Sequence, residues 1–363
     1  MEKSGTLNMR KNARYDIVTV SSMGVRLTPV NRQPVEAGGP FELQSTSAET
    51  NVLNVSASLG LNTLVLTRFV EGSAIASYIK AELRKRNINY TGPEIPQGGP
   101  WGYRHQFNIA DSGFGPRGPV VQNDRAGEVG RTIDAKDYDL KQILEIDGAK
   151  ILHLSGLIAA MSESTTRACL EVARCAKANG TLISFDLNYR ASFWKGREAE
   201  LRRDFREIAG LADILIGNEE DFQLALGIEG PEAGGRDIGS KIDSFKEMIS
   251  RVKAEFPGAS IFAATLRQVL SANTHLWGGI VNSGNDWFVE NPREIQVLDR
   301  IGGGDGFVGA LLYALLKGYG PETALKYGWA SGALAVTMLT DYASPVSESQ
   351  LENIYKGNAR VKR

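Results

Sequence analysis

The alternation of strand-like and helix-like segments restricts the fold of this 363-residue chain more than any other sequence feature. Tyr15–Val20 has the apolar pattern of a buried strand, and Glu49–Leu59 repeats apolar residues at helical spacing before Gly60. The same two patterns then recur. Further strands are predicted at 61–69, 149–154, 181–187, 212–216 and 260–265, and further helices at 73–86, 162–179, 199–209, 245–255 and 305–317. This order predicts an α/β fold around a mostly parallel sheet.

Two segments interrupt the alternation, at residues 24–46 and 91–125. Both are rich in glycine and proline, and no ten-residue helix fits within the second. We therefore expect short strands that form a small β layer beside the main sheet. Residues 1–14 carry four basic residues without apolar periodicity and are predicted to be a mobile tail, which leaves 15–363 as one domain.

Charge, apolar runs and cysteine content limit which ligands and which cellular compartment the sequence suits. The chain has 41 Lys and Arg against 42 Asp and Glu, a balance that argues against binding nucleic acid or anionic membrane by bulk charge. No apolar run is long enough to span a bilayer, and the first residues lack the apolar stretch of a secretory signal. Two cysteines, Cys169 and Cys175, suit a reducing compartment. We expect a cytoplasmic protein.

Polar residues follow the predicted strands at their carboxyl ends. Ligands of open parallel sheets bind at this edge, so these residues should meet in one crevice. They are found at Asp186–Arg190, Gly217–Asp221, Thr265–Arg267 and Asp299–Asp305. Carboxylates, amides and arginines together suit a phosphate donor, a divalent metal and a polar substrate.

The run Gly302-Gly303-Gly304-Asp305 is the sharpest of these signals. Consecutive glycines expose backbone N–H groups that can surround an anion, and the apolar helix that follows points its positive end at the same place. Asp305 could then accept a proton from a substrate hydroxyl while the amides hold a phosphoryl group. From these residues alone, the alternative is a glycine-rich turn with Asp305 as an ordinary helix cap, and capping aspartates are common.

The stretch Asp299–Ala310 resembles the C-terminal signature of the ribokinase-like (PfkB) carbohydrate kinases. Three further pieces agree with that family in order and spacing, at 124–127, 186–190 and 218–222. Arg300 stands where most members have a small or hydroxyl residue, and this variant is similar to the 2-keto-3-deoxygluconate kinase branch. The resemblance runs from about Tyr15 to the end of the chain. It implies a three-layer α/β/α sandwich with a small β lid.

The resemblance also implies roles for the phosphoryl-transfer residues. Asp305 would be the catalytic base, and Gly302, Gly303 and Gly304 would form the anion hole. The nucleotide and metal side would comprise Asn218, Glu220, Asp221, Thr265 and Arg267. Asp221 replaces the glutamate of the family's Asn-x-x-Glu motif and keeps the carboxylate. ATP and Mg²⁺ are the implied cofactors, with no direct protein ligand to the metal, and a monovalent cation is compatible with the family.

On the substrate side, Arg125 and Arg190 match positions at which the keto-deoxygluconate kinases hold their substrate. A guanidinium fork binds a sugar-acid carboxylate through two hydrogen bonds, although either arginine alone could be a surface salt bridge. The other predicted substrate residues are Asn51, Asn108, Asn123 and Asn188. The implied activity is ATP-dependent phosphorylation of a terminal hydroxyl of a sugar acid such as 2-keto-3-deoxygluconate.

Departures from the family pattern leave alternatives open. Thr46-Ser47 replaces the usual Gly-Gly before Ala48-Glu-Thr-Asn51, and two lid tyrosines of the branch align with Asn108 and Asn123. A kinase of a neutral sugar (fructose, ribose or tagatose type) or of a nucleoside is therefore an alternative, as is a non-catalytic sugar-binding regulator. We also expect a homo-oligomer, with dimerisation through the lid favoured because an open sheet edge invites pairing.

Overall fold

The computed structural model describes residues 7–231 and 241–358. Its strands are β1 (Tyr15–Val20), β2 (Gly24–Pro29), β3 (Phe41–Thr46), β4 (Thr63–Leu66), β5 (Phe69–Val70), β6 (Asn89–Thr91), β7 (Glu94–Ile95), β8 (Gln106–Asp111), β9 (Val120–Asp124), β10 (Ala149–Ser155), β11 (Leu182–Asp186), β12 (Ile214–Ile216), β13 (Ile261–Ser271), β14 (Thr274–Ser283) and β15 (Asp286–Gln296). Its α-helices are α1 (Ala48–Ser58), α2 (Ala74–Lys85), α3 (Gly156–Ala159), α4 (Glu163–Ala178), α5 (Ala191–Trp194), α6 (Glu198–Leu211), α7 (Glu219–Leu226), α8 (Ile242–Glu255), α9 (Gly303–Leu316), α10 (Pro321–Ala335) and α11 (Glu348–Tyr355).

The main sheet has nine strands in the order β15-β14-β13-β12-β11-β10-β1-β4-β6. Neighbours from β13 to β6 run parallel, and β13, β14 and β15 pair antiparallel at one edge. Helices α4, α6, α7 and α8 cover one face, and α1, α2, α9, α10 and α11 cover the other. Strands covered on both faces read as continuous apolar runs, which explains why β1 and β10 were visible in the sequence. The predicted three-layer α/β architecture is confirmed.

A second, four-stranded sheet, which we call the lid, has the order β3-β2-β8-β9. Its central pair β2–β8 is parallel, while β2–β3 and β8–β9 are antiparallel. The loop between β8 and β9 reaches the turn between β13 and β14. There the N–H of Gly115 donates to Oδ1 of Asn273 at 2.6 Å, and the N–H of Ala272 donates to the carbonyl of Gly115 at 3.1 Å. These contacts seat the lid tip on the main domain.

Two strands differ from the sequence prediction. The expected strand at 61–69 is divided at Thr67-Arg68 into β4, in the main sheet, and β5, which pairs with β7. The expected strand at 260–265 continues to Ser271, because Arg267 and Gln268 lie opposite Trp277 and Leu276 in an antiparallel ladder. Backbone pairing with β14 therefore extends β13 through residues too polar to predict as a strand.

Residues 1–6 of the predicted tail lie outside the described part of the chain. Leu7 and Met9 pack against the core, and Arg10 donates to the carbonyl oxygens of Leu144 and Glu145, each at 2.6 Å. These contacts hold the described part of the tail against the π-helix at Lys141–Gly148. None of the helices within 7–231 and 241–358 has both the length and the hydropathy needed to cross a bilayer.

Candidate active site

A cavity of about 1090 Å³ lies between the carboxyl ends of the parallel strands, the start of α9 and the inner face of the lid. With the exception of Gly303, every residue predicted for the site lines this cavity. The lining members of that set are Asn51, Asn108, Asn123, Arg125, Asn188, Arg190, Asn218, Glu220, Asp221, Thr265, Arg267, Gly302, Gly304 and Asp305. The cavity is large enough for two small substrates to meet.

Asp305 lies in the first turn of α9, at the floor of the cavity. Nδ2 of Asn51, from α1, donates a hydrogen bond of 2.9 Å to Oδ2 of Asp305. Burial raises the pKa of Asp305 to about 7, with Glu49 and Asp341 adding to the rise and the Asn51 hydrogen bond opposing it. A carboxylate with a pKa close to neutral is suited to general-base catalysis.

The three glycines before Asp305 differ in what surrounds them. Gly302 has φ of 83°, and a Cβ there would lie 1.8 Å from the carbonyl oxygen of Asp341, so only glycine fits. Gly303 is buried, and its Cβ position lies 2.9 Å from Val336. Gly304 is exposed to the cavity, with open space at its Cβ position. The first N–H groups of α9 have no partner within the helix, so an anion beside Gly304 meets bare donors and the positive helix end.

Asn218 and Asp221 form a reciprocal cap at the start of α7. The N–H of Asp221 donates to Oδ1 of Asn218 at 2.9 Å, and the N–H of Asn218 donates to Oδ2 of Asp221 at 2.8 Å. Oδ1 of Asp221 accepts the N–H of Tyr189 at 2.8 Å. Burial raises the pKa of Asp221 to about 6. The predicted metal-side pair thus also fixes the loops after β11 and β12.

Asp186, at the end of β11, brings a further carboxylate into the cavity. Its pKa is well above the usual range, first because of burial and then because Asp221 and Asp305 lie nearby. In the described residues no group of three or more His, Cys, Asp or Glu side chains is arranged to hold a metal ion.

Arg190, Arg267 and Arg300 are three of the five described arginines that line the same cavity, with Arg26 and Arg125. Burial lowers the pKa of Arg267 to about 10, and the charges of Arg300 and Arg190 contribute. Within the described ranges neither Arg267 nor Arg300 makes a side-chain hydrogen bond or an ion pair. Arg190 is exposed, and among the residues that the structure describes its Nη1 donates only to the carbonyl oxygen of Tyr189, at 2.7 Å. Three guanidinium groups without an ion-paired carboxylate in the described chain favour a polyanionic ligand.

Arg125 is different because it is already paired. Its Nη1 donates to Oε1 and Oε2 of the buried Glu128 at 2.8 and 3.0 Å, and its guanidinium lies 5.1 Å from the centre of the Phe193 ring. Nε of Arg125 is buried with no partner in the described chain. Only part of this guanidinium is free for a ligand.

The amide residues are distributed over the lid and the strand ends. Asn108 and Asn123 are cross-strand partners in β8 and β9, and Oδ1 of Asn108 is buried without a partner in the described residues. Asn188 has φ of 35°, and its Nδ2 donates to Oγ of Ser155 at 3.2 Å. These side chains place hydrogen-bonding groups on the roof and the wall of the cavity.

Thr46 and Ser47, which replace the family's glycine pair, both have a structural partner. The hydroxyl of Thr46 donates to Oδ2 of Asp341. Oγ of Ser47 caps α1 by accepting the N–H of Thr50 at 3.1 Å. The two residues that replace the glycine pair therefore stabilise the connection between the lid and α1.

The structure adds site residues that sequence reasoning missed. Glu49 is buried at the cavity wall, where Oγ of Ser21 donates to Oε2 at 2.6 Å and burial raises the pKa of Glu49. Its place beside Asn51 in Ala48-Glu-Thr-Asn51 was an available signal. Arg300 was noted only as a branch marker. Arg26 and Asp341 gave no local signal, because their importance depends on pairing across the whole chain.

Sequence and structure comparisons show which known proteins this chain resembles. The profile of the pfkB family carbohydrate kinases matches residues 16–346. The chain is 26% identical over 344 residues to the 2-dehydro-3-deoxygalactonokinase of Haloferax volcanii, covering 94% of this chain and 97% of that protein. It is 30% identical over 193 residues to the 5-dehydro-2-deoxygluconokinase of Shouchella clausii, covering 53% and 52%.

The crystal structure of the 2-dehydro-3-deoxygluconokinase from Thermotoga maritima superposes with a TM-score of 0.85 at 26% identity, covering 94% of this chain and 98% of that one. The predictions of a PfkB-type sugar kinase and of a ribokinase-like fold are thereby confirmed. Kinases of this kind use ATP with a divalent metal ion. Because the family profile spans nearly the whole sequence, this chain belongs to the pfkB family of carbohydrate kinases.

Proposed function

We propose that the chain uses ATP and Mg²⁺ to phosphorylate a terminal hydroxyl of a 2-keto-3-deoxy sugar acid of the gluconate or galactonate type. The observation that carries the proposal is Arg190, which faces the cavity containing Asp305 and pairs with no carboxylate among the described residues. A sugar-acid carboxylate matches such a guanidinium. The relatives named above support this class, because their names describe kinases of dehydro-deoxy sugar acids.

In the proposed reaction, Arg190 and the free part of Arg125 orient the substrate carboxylate. Asp305 takes the proton of the terminal hydroxyl, whose oxygen attacks the γ-phosphorus in line; the bond to the β–γ bridging oxygen breaks and ADP leaves. The amides at Gly302–Gly304 hold the transferring phosphoryl group. Arg267 and Arg300, which line the cavity without partners in the described chain, hold the polyphosphate.

The acidic wall of the cavity fits a divalent ion that arrives with ATP. Asp186 and Asp221 are neighbouring carboxylates whose raised pKa values reflect burial and, for Asp186, the negative charge of its neighbours. A cation near them would relieve that repulsion. Bound Mg²⁺ would neutralise phosphate charge, and Asn218 and Asp221 would keep the adjoining loop in place.

An ADP-release assay across a substrate panel tests the proposal. The panel holds 2-keto-3-deoxygluconate, 2-keto-3-deoxygalactonate, fructose, ribose, tagatose and adenosine. We expect activity with the keto-deoxy acids and a raised KM for them, but not for ATP, in Arg190→Gln. Arg104→Gln is the matched control, because Arg104 pairs with Asp124 in the lid outside the cavity lining. Preference for a neutral sugar, or an unchanged KM in Arg190→Gln, would contradict the proposal.

A kinase of a neutral sugar is the second candidate. The paired amides of Asn108 and Asn123 favour it, because amide groups on the lid suit hydroxyl groups rather than a carboxylate. It predicts a signal on fructose, ribose, tagatose or adenosine that survives Arg190→Gln. A non-catalytic regulator predicts no ADP release with any member of the panel.

We also propose that two chains associate through the outer face of the lid. Phe41 and Leu43 on β3 are 38% and 39% exposed there, and Val120 on β9 extends the apolar surface. Leu43→Asp should convert a dimer to a monomer in light scattering. Leu224→Asp is the control, since Leu224 is also 39% exposed but lies on α7, away from the lid. A Leu43→Asp protein that stays dimeric would exclude this interface.

A cytoplasmic location fits the same function. Cys169 and Cys175 are both free thiols. A kinase also needs the ATP pool of the cell interior. Fractionation of cells producing the tagged chain tests this location, and recovery outside the cytoplasm would contradict it.

A further inference from the structure

A buried arginine links the lid to the loop that carries the glycine run. Arg26, on β2, is 1% exposed. Its Nη2 donates to Oδ2 of Asp299 and its Nη1 to Oδ1 of Asp341, two aspartates that are 0% and 3% exposed. The hydroxyl of Thr46 donates a hydrogen bond to Oδ2, the other carboxylate oxygen of Asp341. One guanidinium thus sits between two buried carboxylates.

Both aspartates contact the loop that carries the glycine run. Asp299 lies three residues before Gly302, and its Oδ1 accepts the N–H of Ile301 at 3.0 Å. The backbone carbonyl of Asp341 lies against Gly302, where a Cβ would come within 1.8 Å of it. A shift of either aspartate would therefore move the backbone on which the Gly302–Gly304 amides depend.

Two buried carboxylates need a positive partner, since unpaired buried charges are strongly unfavourable. Burial alone would lower the pKa of Arg26, but the charges of Asp341 and Asp299 outweigh it and raise that pKa. The guanidinium is therefore always charged at working pH. The chain therefore supplies from within the positive charge that these two buried carboxylates require.

We infer that Arg26 is the built-in cation of the anion-hole loop and a positioning residue for phosphoryl transfer. The inference rests on the proposed role of Gly302–Gly304. It has two consequences: turnover depends on Arg26 although Arg26 need not touch either substrate, and the wild-type enzyme needs no added monovalent cation.

Steady-state kinetics of Arg26→Ala test the first consequence. We expect kcat to fall about 10²-fold, the scale of a small misplacement of catalytic groups, while KM for the sugar changes by less than about threefold. Low-millimolar guanidinium should restore much of the lost kcat by filling the space between Asp299 and Asp341. Arg68→Ala is the matched control, because Arg68 pairs through two nitrogens with Asp137 outside the cavity. Its kcat should match the wild type, with or without guanidinium.

A folded Arg26→Ala protein with wild-type kcat, or one that guanidinium does not rescue, would overturn the inference. If this variant does not fold, Arg26→Lys replaces it, because lysine keeps the charge but cannot bond both aspartates as a fork does. The kcat of Arg26→Lys should lie between about one hundredth of the wild-type value and the wild-type value itself. A kcat equal to that of the wild type would overturn the positioning role.

The second consequence is measured on the unaltered protein. Wild-type kcat should be the same when Na⁺ and K⁺ are replaced by tetramethylammonium, and a fall of about tenfold or more would overturn the inference. Substrate preference of the wild type tests the proposed function separately. The Arg26 test compares kcat of variant and wild type on whichever panel sugar the wild type phosphorylates. The inference about Arg26 can therefore fail while the proposed substrate class holds, and the reverse.

Discussion

The hydrogen bond from Asn51 to Asp305 should set the pH at which the kinase loses activity in acid. Asp305 must be deprotonated to accept the hydroxyl proton, and its pKa of about 7 places the acid limb of kcat/KM near neutral pH. Asn51 stabilises the charged form through its 2.9 Å bond. Replacement by leucine, which has a similar size but no donor, should therefore raise the pKa of Asp305 further.

The size of the shift follows from the strength of the bond. A hydrogen bond to a charged group contributes about 1.5–3 kcal/mol, and one pKa unit corresponds to about 1.4 kcal/mol. Because Asp305 is partly accessible to solvent, the hydrogen bond should contribute the lower end of this range, which raises the pKa of Asp305 by about one unit when Asn51 is replaced. At pH 7 the deprotonated fraction of Asp305 would fall from about one half to about one tenth. At pH 9 most of the difference should disappear.

The assay is kcat/KM between pH 5.5 and 9.5 for wild type and Asn51→Leu, since kcat/KM reports pKa values of the free enzyme. Asn108→Leu is the control, because it removes an amide from the same cavity without contacting Asp305. Its acid limb should stay where the wild type has it. An Asn51→Leu profile that is unmoved, or that moves to lower pH, would refute the base assignment or the role of the bond.

Three further predictions concern the same site and the thiols. Asp305→Asn should lower kcat about 10²–10⁴-fold. The pKa of Asp305 is higher in the folded protein than the unfolded value of 3.8, so the wild type loses stability as pH rises from about 4 to 7. The variant, which cannot ionise, should therefore have a higher Tm than the wild type at pH 8 but not below pH 4. Gly304→Val should reduce kcat without changing Tm, whereas Gly302→Ala should lower Tm because of its φ of 83°; equal melting of the two variants would contradict this. A thiol reagent should label half-buried Cys175 in the native protein and buried Cys169 only after unfolding; native labelling of Cys169 would disprove its burial.

The elements predicted correctly are those whose signal is local. Tyr15–Val20 is buried on both faces of the sheet and reads as an apolar run. The helix predicted at 73–86 begins at Ala74, where the hydroxyl of Ser73 accepts the N–H of Ala76. The segments at 186–190, 218–222 and 299–305 were predicted to meet in one crevice because parallel strands of one sheet end at the same edge, and residues of all three line the cavity.

What the sequence could not provide depends on contacts between distant segments. Arg26 and Asp341 are separated by 315 positions, and charge patterns do not specify which residues pair. Thr46 was read as a departure from the family, yet its hydroxyl bonds Asp341. Arg125 was assigned to the substrate, and only the structure shows that Glu128 already occupies one of its nitrogens. The roles of these residues follow from a partner that no local window contains.

The lid is assembled from two pieces of chain that enclose β4–β7 between them. β2 and β8 pair directly, and closing the chain between them has an entropic cost that rises with its length. The burial of the two sheets differs: β9 is exposed over most of its length, whereas β1, β10 and β11 are largely buried between helices. The floor of the cavity can therefore persist when the roof is undone. Amide hydrogen exchange should show the lid opening as a unit at lower free energy than the central strands, which would let substrate enter by a partial unfolding that leaves the core intact.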